Sequence, residues 1–320
     1  MMKTALVTGA LGFCARHLTS KLRLDGEIRI CGIDLAGQAP SDHRLDEYIT
    51  LDMCDRNGLE RIIGSLRPDW IYHLAGVTGE DLFKIYNVNF VGSLNLLECV
   101  RKYIPASSLV IIGSSAEYGF ASSRDLPLTE DHPCRPAGAY GISKHAMVSA
   151  GLNYAARYGL KIVAARPFNI VGPGIPQTLV VGAILKRIKE SMHRKDKLIL
   201  KMGNLDTQRD FVAVDDAVDA YVKMAHGNYW GEAFNICSGR PYPIRKIVEI
   251  IASFSPLPVE IEQDPALVRS DDIEVSFGSF AKAHETFGFT PSKDIEKILL
   301  QTWQHHSRGE VSNSLSEGAS

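Results

Sequence analysis

Two short segments, "GSSAEYG" (113–119) and "AYGISK" (139–144), carry side chains able to move a proton. In the second, Tyr140 precedes Lys144 by four residues at the head of a helical stretch over 142–158, and positions i and i+4 share one face of a helix. An ammonium beside the phenol favours the phenolate and lowers its pKa, as a general acid or base working near neutrality requires. Standing alone, a Tyr-x-x-x-Lys pair also reads as a solvated surface pair. Ser114 and Ser115 end an apolar run, and in a parallel α/β sheet ligands collect beyond the carboxyl ends of the strands. Ser114 is therefore expected to hydrogen-bond a substrate oxygen while Tyr140 transfers the proton; the alternative is a serine that caps a strand end.

A second set of residues suits a dinucleotide. "VTGALGFCARHL" spaces Gly9, Gly12 and Ala15 three residues apart between a first strand and a first helix. Such glycines let the backbone turn tightly and approach a pyrophosphate, which the N–H groups of the helix N-terminus attract. A plain strand-to-helix turn would have the same spacing. Asp34 ends the next apolar run, 22 residues after Gly12. A carboxylate there accepts from an adenosine ribose and repels a 2′-phosphate, which favours NAD(H) and leaves NADP(H) possible. Asp34 also reads as an ordinary turn residue.

Positioning these groups takes an alternation of strand and helix. The first half supplies it: "KTALVTG", "ARHLTSKLRLDG", "IRICGID", "RNGLERIIGSLRP", "WIYHLAG", "LNLLECVRKYI" and "SLVIIGSS" follow one another. This predicts an α/β fold, a doubly wound parallel sheet of Rossmann type. The dinucleotide-binding domain is expected over 1–167, with a returning segment near 205–236. A smaller C-terminal α/β substrate domain over 168–306 includes helices at 179–191 and 244–254, and a tail rich in Ser, Gly and Glu follows at 307–320.

The chain has 320 residues, 45% hydrophobic and 22% charged content and a formal net charge of −2. Nothing in that balance points to nucleic acid or a membrane surface as partner. Six scattered cysteines form no C-x-x-C pair, which fits a reducing cytoplasm better than a disulfide framework or a zinc site. No metal is expected: His305 and His306 are adjacent on a helix and point in different directions. His73 is expected to be packed or bound to backbone. Gly9 and Gly12 interrupt the N-terminal apolar run, which reads as a strand and not as a signal peptide.

As an ordered set, "TGALGF", "HLAG", "NVNFVGSLNLLE", "GSSAEYG", "AYGISK", "RPFNIVGPG", "RDFVAVDDAVDAY" and "FNICSG" resemble the extended short-chain dehydrogenases/reductases of the nucleotide-sugar epimerase and dehydratase group, over roughly residues 3–303. The resemblance implies a catalytic triad of Ser114, Tyr140 and Lys144, with Tyr140 and Lys144 also touching the cofactor. It further implies cofactor contacts from Gly9, Leu11, Gly12, Phe13, Asp34, Asp52, Met53, Leu74, Ala75, Gly76 and Asn89. Substrate contacts are implied for Ser115, Ala116, Asn169, Val180, Lys186, Arg209 and Arg269; Val180, Val181 and Lys186 would choose the base but are not diagnostic by type. Helix 92–104 is implied to pack a homodimer.

Two departures stand out. Ala15 replaces the usual third glycine, and Ala116 stands where 4,6-dehydratases of the group carry an acidic residue. A methyl group transfers no proton, so dehydration is disfavoured unless Glu117 reaches in. The segments 166–188, 203–221 and 264–279 most resemble reductases that turn GDP-4-keto-6-deoxymannose into GDP-rhamnose. A nucleotide-sugar 4-epimerase, a 4,6-dehydratase and a non-catalytic dinucleotide-binding relative are the alternatives.

Overall fold

In the computed structural model, the apolar runs of the first half become β1 (Lys3–Thr8), β2 (Ile28–Asp34), β3 (Glu47–Thr50), β4 (Trp70–His73), β5 (Ser108–Ile112) and β6 (Ile162–Pro167). All residues are described except 1, 25, 36, 38–43, 195–196, 269–272, 293 and 309–320. Between the strands lie α1 (Phe13–Leu24), α2 (Arg56–Leu66), α3 (Leu82–Tyr86), α4 (Gly92–Tyr103) and α5 (Gly138–Tyr158). β5 and β6 are buried at every position, as strands covered on both faces by helices must be.

Past β6, the chain forms β7 (Asn169–Val171), α6 (Val180–Arg194), β8 (Leu198–Met202), β9 (Gln208–Ala213), α7 (Val214–His226), β10 (Ala233–Ile236), β11 (Pro241–Pro243), α8 (Ile244–Ser253), β12 (Val259–Gln263), β13 (Val275–Ser276), α9 (Ala281–Phe287) and α10 (Ile295–Arg308). The main sheet has seven strands in the order β10-β6-β5-β4-β1-β2-β3, every pair parallel. The winding reverses between β1 and β4, and the crevice beyond the carboxyl ends of those strands is where such sheets bind ligands.

One face of the sheet is covered by α1 and α7, whose Leu18, Leu22, Val218 and Tyr221 join Val7 and Val110 in a core. The opposite face is covered by α2, α4 and α5 around Leu59, Leu97 and Met147. A third core over β8 and β9 holds α6, α8 and α10. β9 pairs with β7, β11 and β13 in a second sheet. The chain leaves the main sheet at Phe168 and re-enters it through α7 and β10, so the returning segment begins at Val214, while β9 stays with the C-terminal part. α10 extends to Arg308, two residues into the expected tail, whose remainder lies outside the described residues. Among the described residues no helix is long and apolar enough to cross a membrane.

The helix expected over 92–104 is α4, and it is entered from a helix and not from a loop. α3 continues through a π-helical turn, Asn87–Val91, directly into α4. Single π-helical turns inside helices are frequent at functional sites, and this one carries the buried Asn89.

Candidate active site

The loop after β1 fits a dinucleotide backbone. Gly9 has φ +66°, and a Cβ there would fall 2.7 Å from the Ala75 backbone nitrogen, so only glycine lets the loop lie against the end of β4. Asp34 shapes the same loop: Oδ2 accepts from the Leu11 amide at 2.9 Å and Oδ1 from the Leu35 amide at 2.7 Å. A cavity of about 150 Å³ opens there, lined by Gly9, Gly12, Asp34, Asp52, Met53 and Ala75 among others. Leu11 offers its amide to Asp34, and Phe13, at the start of α1, lines the adjoining cavity. Ala15 is fully buried in the core beneath α1, where a methyl group fits.

A chain of hydrogen bonds fixes the neighbouring strand end. The Ala75 amide donates to Thr8 Oγ1 at 3.3 Å, and Thr8 Oγ1 lies 2.7 Å from His73 Nδ1. His73 Nε2 lies 2.7 Å from Ser93 Oγ, whose proton goes to the Asn89 carbonyl. Because the serine proton is spent, the imidazole proton is assigned to Nε2 and Thr8 donates to Nδ1. Burial pushes His73 down to about 3, with Lys144 adding to the fall; it is neutral and packed, as one of the two expected readings had it, with hydroxyls and not backbone as its partners. Asn89 is fully buried, with Oδ1 accepting from the Val77 amide at 2.7 Å and Nδ2 donating to the Val77 carbonyl at 2.9 Å and to Ser143 Oγ at 3.0 Å. Its amide therefore holds the 74–77 segment in place instead of facing either cavity.

The larger cavity, about 490 Å³, shares Leu74 and Gly76 with the first and brings together Ser114, Tyr140, Lys144, Asn169 and Val180. Ser114 and Tyr140 stand together on its wall, and the Ser114 hydroxyl accepts from the Ala116 amide at 3.1 Å. The serine caps the turn after β5, as the alternative reading expected, and it also lines the cavity beside the phenol. Lys144 is buried, and its Nζ donates to the Ile112 carbonyl at 2.8 Å. A Cβ on Gly76 would lie 3.1 Å from that Nζ, so glycine admits the ammonium to the passage between the cavities.

Electrostatics correct one expectation. The Tyr140 phenol is pushed up, not down: burial dominates, and the neighbouring Ser114 pulls it back only in part. Lys144 does not enter among the groups that shift it; its own pKa falls to about 8 through burial, against the opposing pull of Glu117 and Cys14. Cys14, which also lines the cavity, is pushed up to about 12 by burial and stays a neutral thiol.

Glu117 does not reach into the cavity. Fully buried, it accepts from the Ser114 amide at Oε1 (2.9 Å) and from Arg166 Nε at Oε2 (3.1 Å). Arg166 further donates to the Tyr118 hydroxyl at 3.4 Å, and Tyr118 donates to Asn235 Oδ1 at 2.6 Å. Glu117, Cys134 and His145 bring ligand atoms within 4.8 Å of one another, but the guanidinium already occupies the carboxylate.

Other substrate-side expectations separate. Asn169 stands on the cavity wall with Nδ2 donating to the Asp210 carbonyl at 2.7 Å. Ser115 and Ala116 lie in the turn behind Ser114 and do not line the cavity. Lys186 is half exposed on α6 beside Glu190, and Arg209 donates to the Gln208 and Ile273 carbonyls; neither lines the cavity. Arg269 lies outside the described residues. Sequence reading passed over Thr78, Thr178 and Phe211, which line the cavity, and the Glu117–Arg166 pair behind Ser114. The strand position of Phe211 was a usable signal; the pair, 49 residues apart, gave none.

The chain matches the model of the NAD dependent epimerase/dehydratase family over residues 5–237. It is 29% identical over 318 residues to GDP-6-deoxy-D-mannose reductase of Pseudomonas aeruginosa, covering 97% of this chain and 100% of that protein. It is also 29% identical over 287 residues to GDP-6-deoxy-D-talose 4-dehydrogenase of Aggregatibacter actinomycetemcomitans, covering 88% and 90%. The solved structure of RMD from Pseudomonas aeruginosa complexed with NADPH is similar at a TM-score of 0.82 and 27% identity, covering 96% and 98%.

Proposed function

Because this chain belongs to the NAD dependent epimerase/dehydratase family, we propose that it is an NAD(P)H-dependent reductase of a nucleotide-linked 4-keto-6-deoxy sugar, converting GDP-4-keto-6-deoxymannose to GDP-rhamnose. The observation that carries the reading is that Ser114 and Tyr140 share the wall of a cavity that continues, past Gly76 and Lys144, into the glycine-loop cleft. A ketone in that cavity would meet a phenol and a hydroxyl on one side and a dinucleotide on the other.

The fit of the cleft to a dinucleotide rests on Gly9, whose missing Cβ opens the loop to close approach, and on Asp34. Bound reduced nicotinamide would supply the hydride to the sugar C4. Tyr140 gives its proton to the carbonyl oxygen as the C–O double bond opens, Ser114 donates to the developing alkoxide, and the phenolate is reprotonated from solvent. The raised phenol pKa keeps Tyr140 protonated at neutral pH, as the acid in this direction must be. Lys144, charged near neutrality and seated on the Ile112 carbonyl, holds the dinucleotide at the passage between the two cavities. Asn169 offers a polar contact to the sugar side.

Dehydration would need a further acid or base, and neither Ala116 nor Glu117, both of whose oxygens are engaged, supplies one. A 4-epimerase would use the same three side chains. The resemblance to the reductase and the 4-dehydrogenase favours net redox chemistry over epimerisation. Asp34 supports NADH, while the NADPH-bound neighbour keeps NADPH in view. Free cysteines support a reducing cytoplasm, and exposed Val91 and Ile142 at the heads of α4 and α5 support a helix-packed homodimer.

The experiment is incubation with NADH or NADPH and a panel of GDP-, dTDP- and UDP-linked 4-keto-6-deoxy sugars, following loss of the reduced nicotinamide absorbance. Oxidation with the GDP sugar is expected. Turnover of a sugar nucleotide by protein that retains its own NAD, with no net oxidation, would replace this reading with the epimerase.

A further inference from the structure

Arg16 and His17 follow the glycine loop on α1 and reach across to the C-terminal part. His17 Nε2 lies 2.8 Å from the Pro173 carbonyl oxygen, and Nδ1 lies 3.1 Å from Asp215 Oδ1 at the start of α7. A carbonyl and a carboxylate both only accept, so each contact is a hydrogen bond donated by the ring nitrogen that faces it, and together they fix both edges of the ring. Phe13 packs edge-on against the imidazole with centroids 5.4 Å apart.

Pro173 belongs to a turn, Gly172 to Gly174, that has no room for other residues. A Cβ on Gly172 would fall 2.4 Å from Val214 Cγ1. Gly174 has φ +80°, and a Cβ there would collide with the Arg16 guanidinium. Arg16 Nη2 also donates to the Pro173 carbonyl at 3.4 Å. The turn is closed by the Ile175 amide donating to the Gly172 carbonyl at 3.1 Å. From it the chain runs straight into Ile175, Thr178, Leu179 and Val180, which line the larger cavity.

We propose that His17 is a positioning residue for the sugar-nucleotide side of the site: it locks the 172–174 turn, and the cavity wall that follows, to the helix that carries the dinucleotide loop. The inference rests on the two-substrate reading given above. His17 touches neither reactant; it sets the distance between the walls that hold them. Losing it would leave the glycine loop intact, held by Asp34 and Ala75, and let the opposite wall drift. Such a change removes binding shared by ground and transition states, which raises KM more than it lowers kcat.

The test compares wild type, His17→Phe and Asp215→Asn. Phenylalanine keeps a ring against Phe13 and removes both nitrogens; the Asp215→Asn change keeps an acceptor and weakens the hold. For His17→Phe, KM for GDP-4-keto-6-deoxymannose is expected to rise about tenfold, the scale of one hydrogen bond to a charged group, with a much smaller fall in kcat and an unchanged dinucleotide Kd. Asp215→Asn is expected to move KM the same way by less, and it decides the matter if His17→Phe does not fold. An unmoved KM in both variants, or a dinucleotide Kd that worsens in step with KM, overturns the inference. A wild type that binds GDP by calorimetry without turning over any keto sugar removes the reductase reading, and the GDP Kd then takes the place of KM. A wild type that binds no nucleotide overturns both.

Discussion

Glu117 joins Ser114 to Arg166: one carboxylate oxygen takes the Ser114 amide at 2.9 Å and the other the Arg166 Nε at 3.1 Å, inside a fully buried site. Removing one member of such a pair leaves an uncompensated charge and costs about 3–5 kcal/mol. Glu117→Ala is therefore expected to lower the free energy of urea unfolding by that amount, with Arg166→Met behaving alike. A loss below about 1 kcal/mol would show that the charge is solvated and the brace is not needed.

Lys144 has the opposite sign. Burial lowers its pKa from 10.5 to about 8, so between those values the unfolded chain holds the proton more tightly than the folded one. Stability from this group therefore rises with pH across the window from about 8 to 10.5, and below 8 the full cost is present. At about 1.4 kcal/mol per tenfold that cost is roughly 3 kcal/mol. Lys144→Met is expected to be inactive yet more stable at pH 7, with the gain shrinking towards nothing near pH 11. Unfolding measured at pH 7 and pH 10.5 decides it; a variant equally or less stable at pH 7 contradicts the assignment.

Asp34 has two duties, since it holds the Leu11 amide and faces the cleft where a ribose would lie. Asp34→Asn is expected to lower the ratio of catalytic efficiency with NADH to that with NADPH by removing the charge that repels a 2′-phosphate. Efficiency with NADH should also fall, by about tenfold, through the weakened anchor on the loop. An unaltered NADH-to-NADPH ratio would mean that another group reads the ribose.

Local spacing carried much of this in the sequence. Gly9, Gly12 and Asp34 meet in one cleft, and Ser114, Tyr140 and Lys144 in one cavity, because strand-loop-helix geometry follows from short motifs. The alternating runs likewise gave the parallel sheet, as period and length do not depend on distant contacts. Charge effects were less legible. The phenol pKa moves upward because the surrounding core desolvates it, and no four-residue spacing encodes that. Lys186 and Arg209 reach Glu190 and backbone carbonyls, respectively, instead of the cavity because helix rotation and strand pairing in the second sheet decide where they point. His17 lies between Asp215 and the turn at Pro173, both far from it in the chain, and no local spacing signals that.

The central claim is that Tyr140, beside Ser114 on the cavity wall, delivers the proton as a sugar ketone is reduced. Its most direct test is the single-turnover rate of dinucleotide oxidation by Tyr140→Phe on GDP-4-keto-6-deoxymannose, set beside the Kd of the sugar nucleotide. The rate is expected to fall about 10²–10⁴-fold, the usual worth of a positioned general acid, while the Kd stays within about threefold. A variant that oxidises the dinucleotide as fast as wild type would contradict the account.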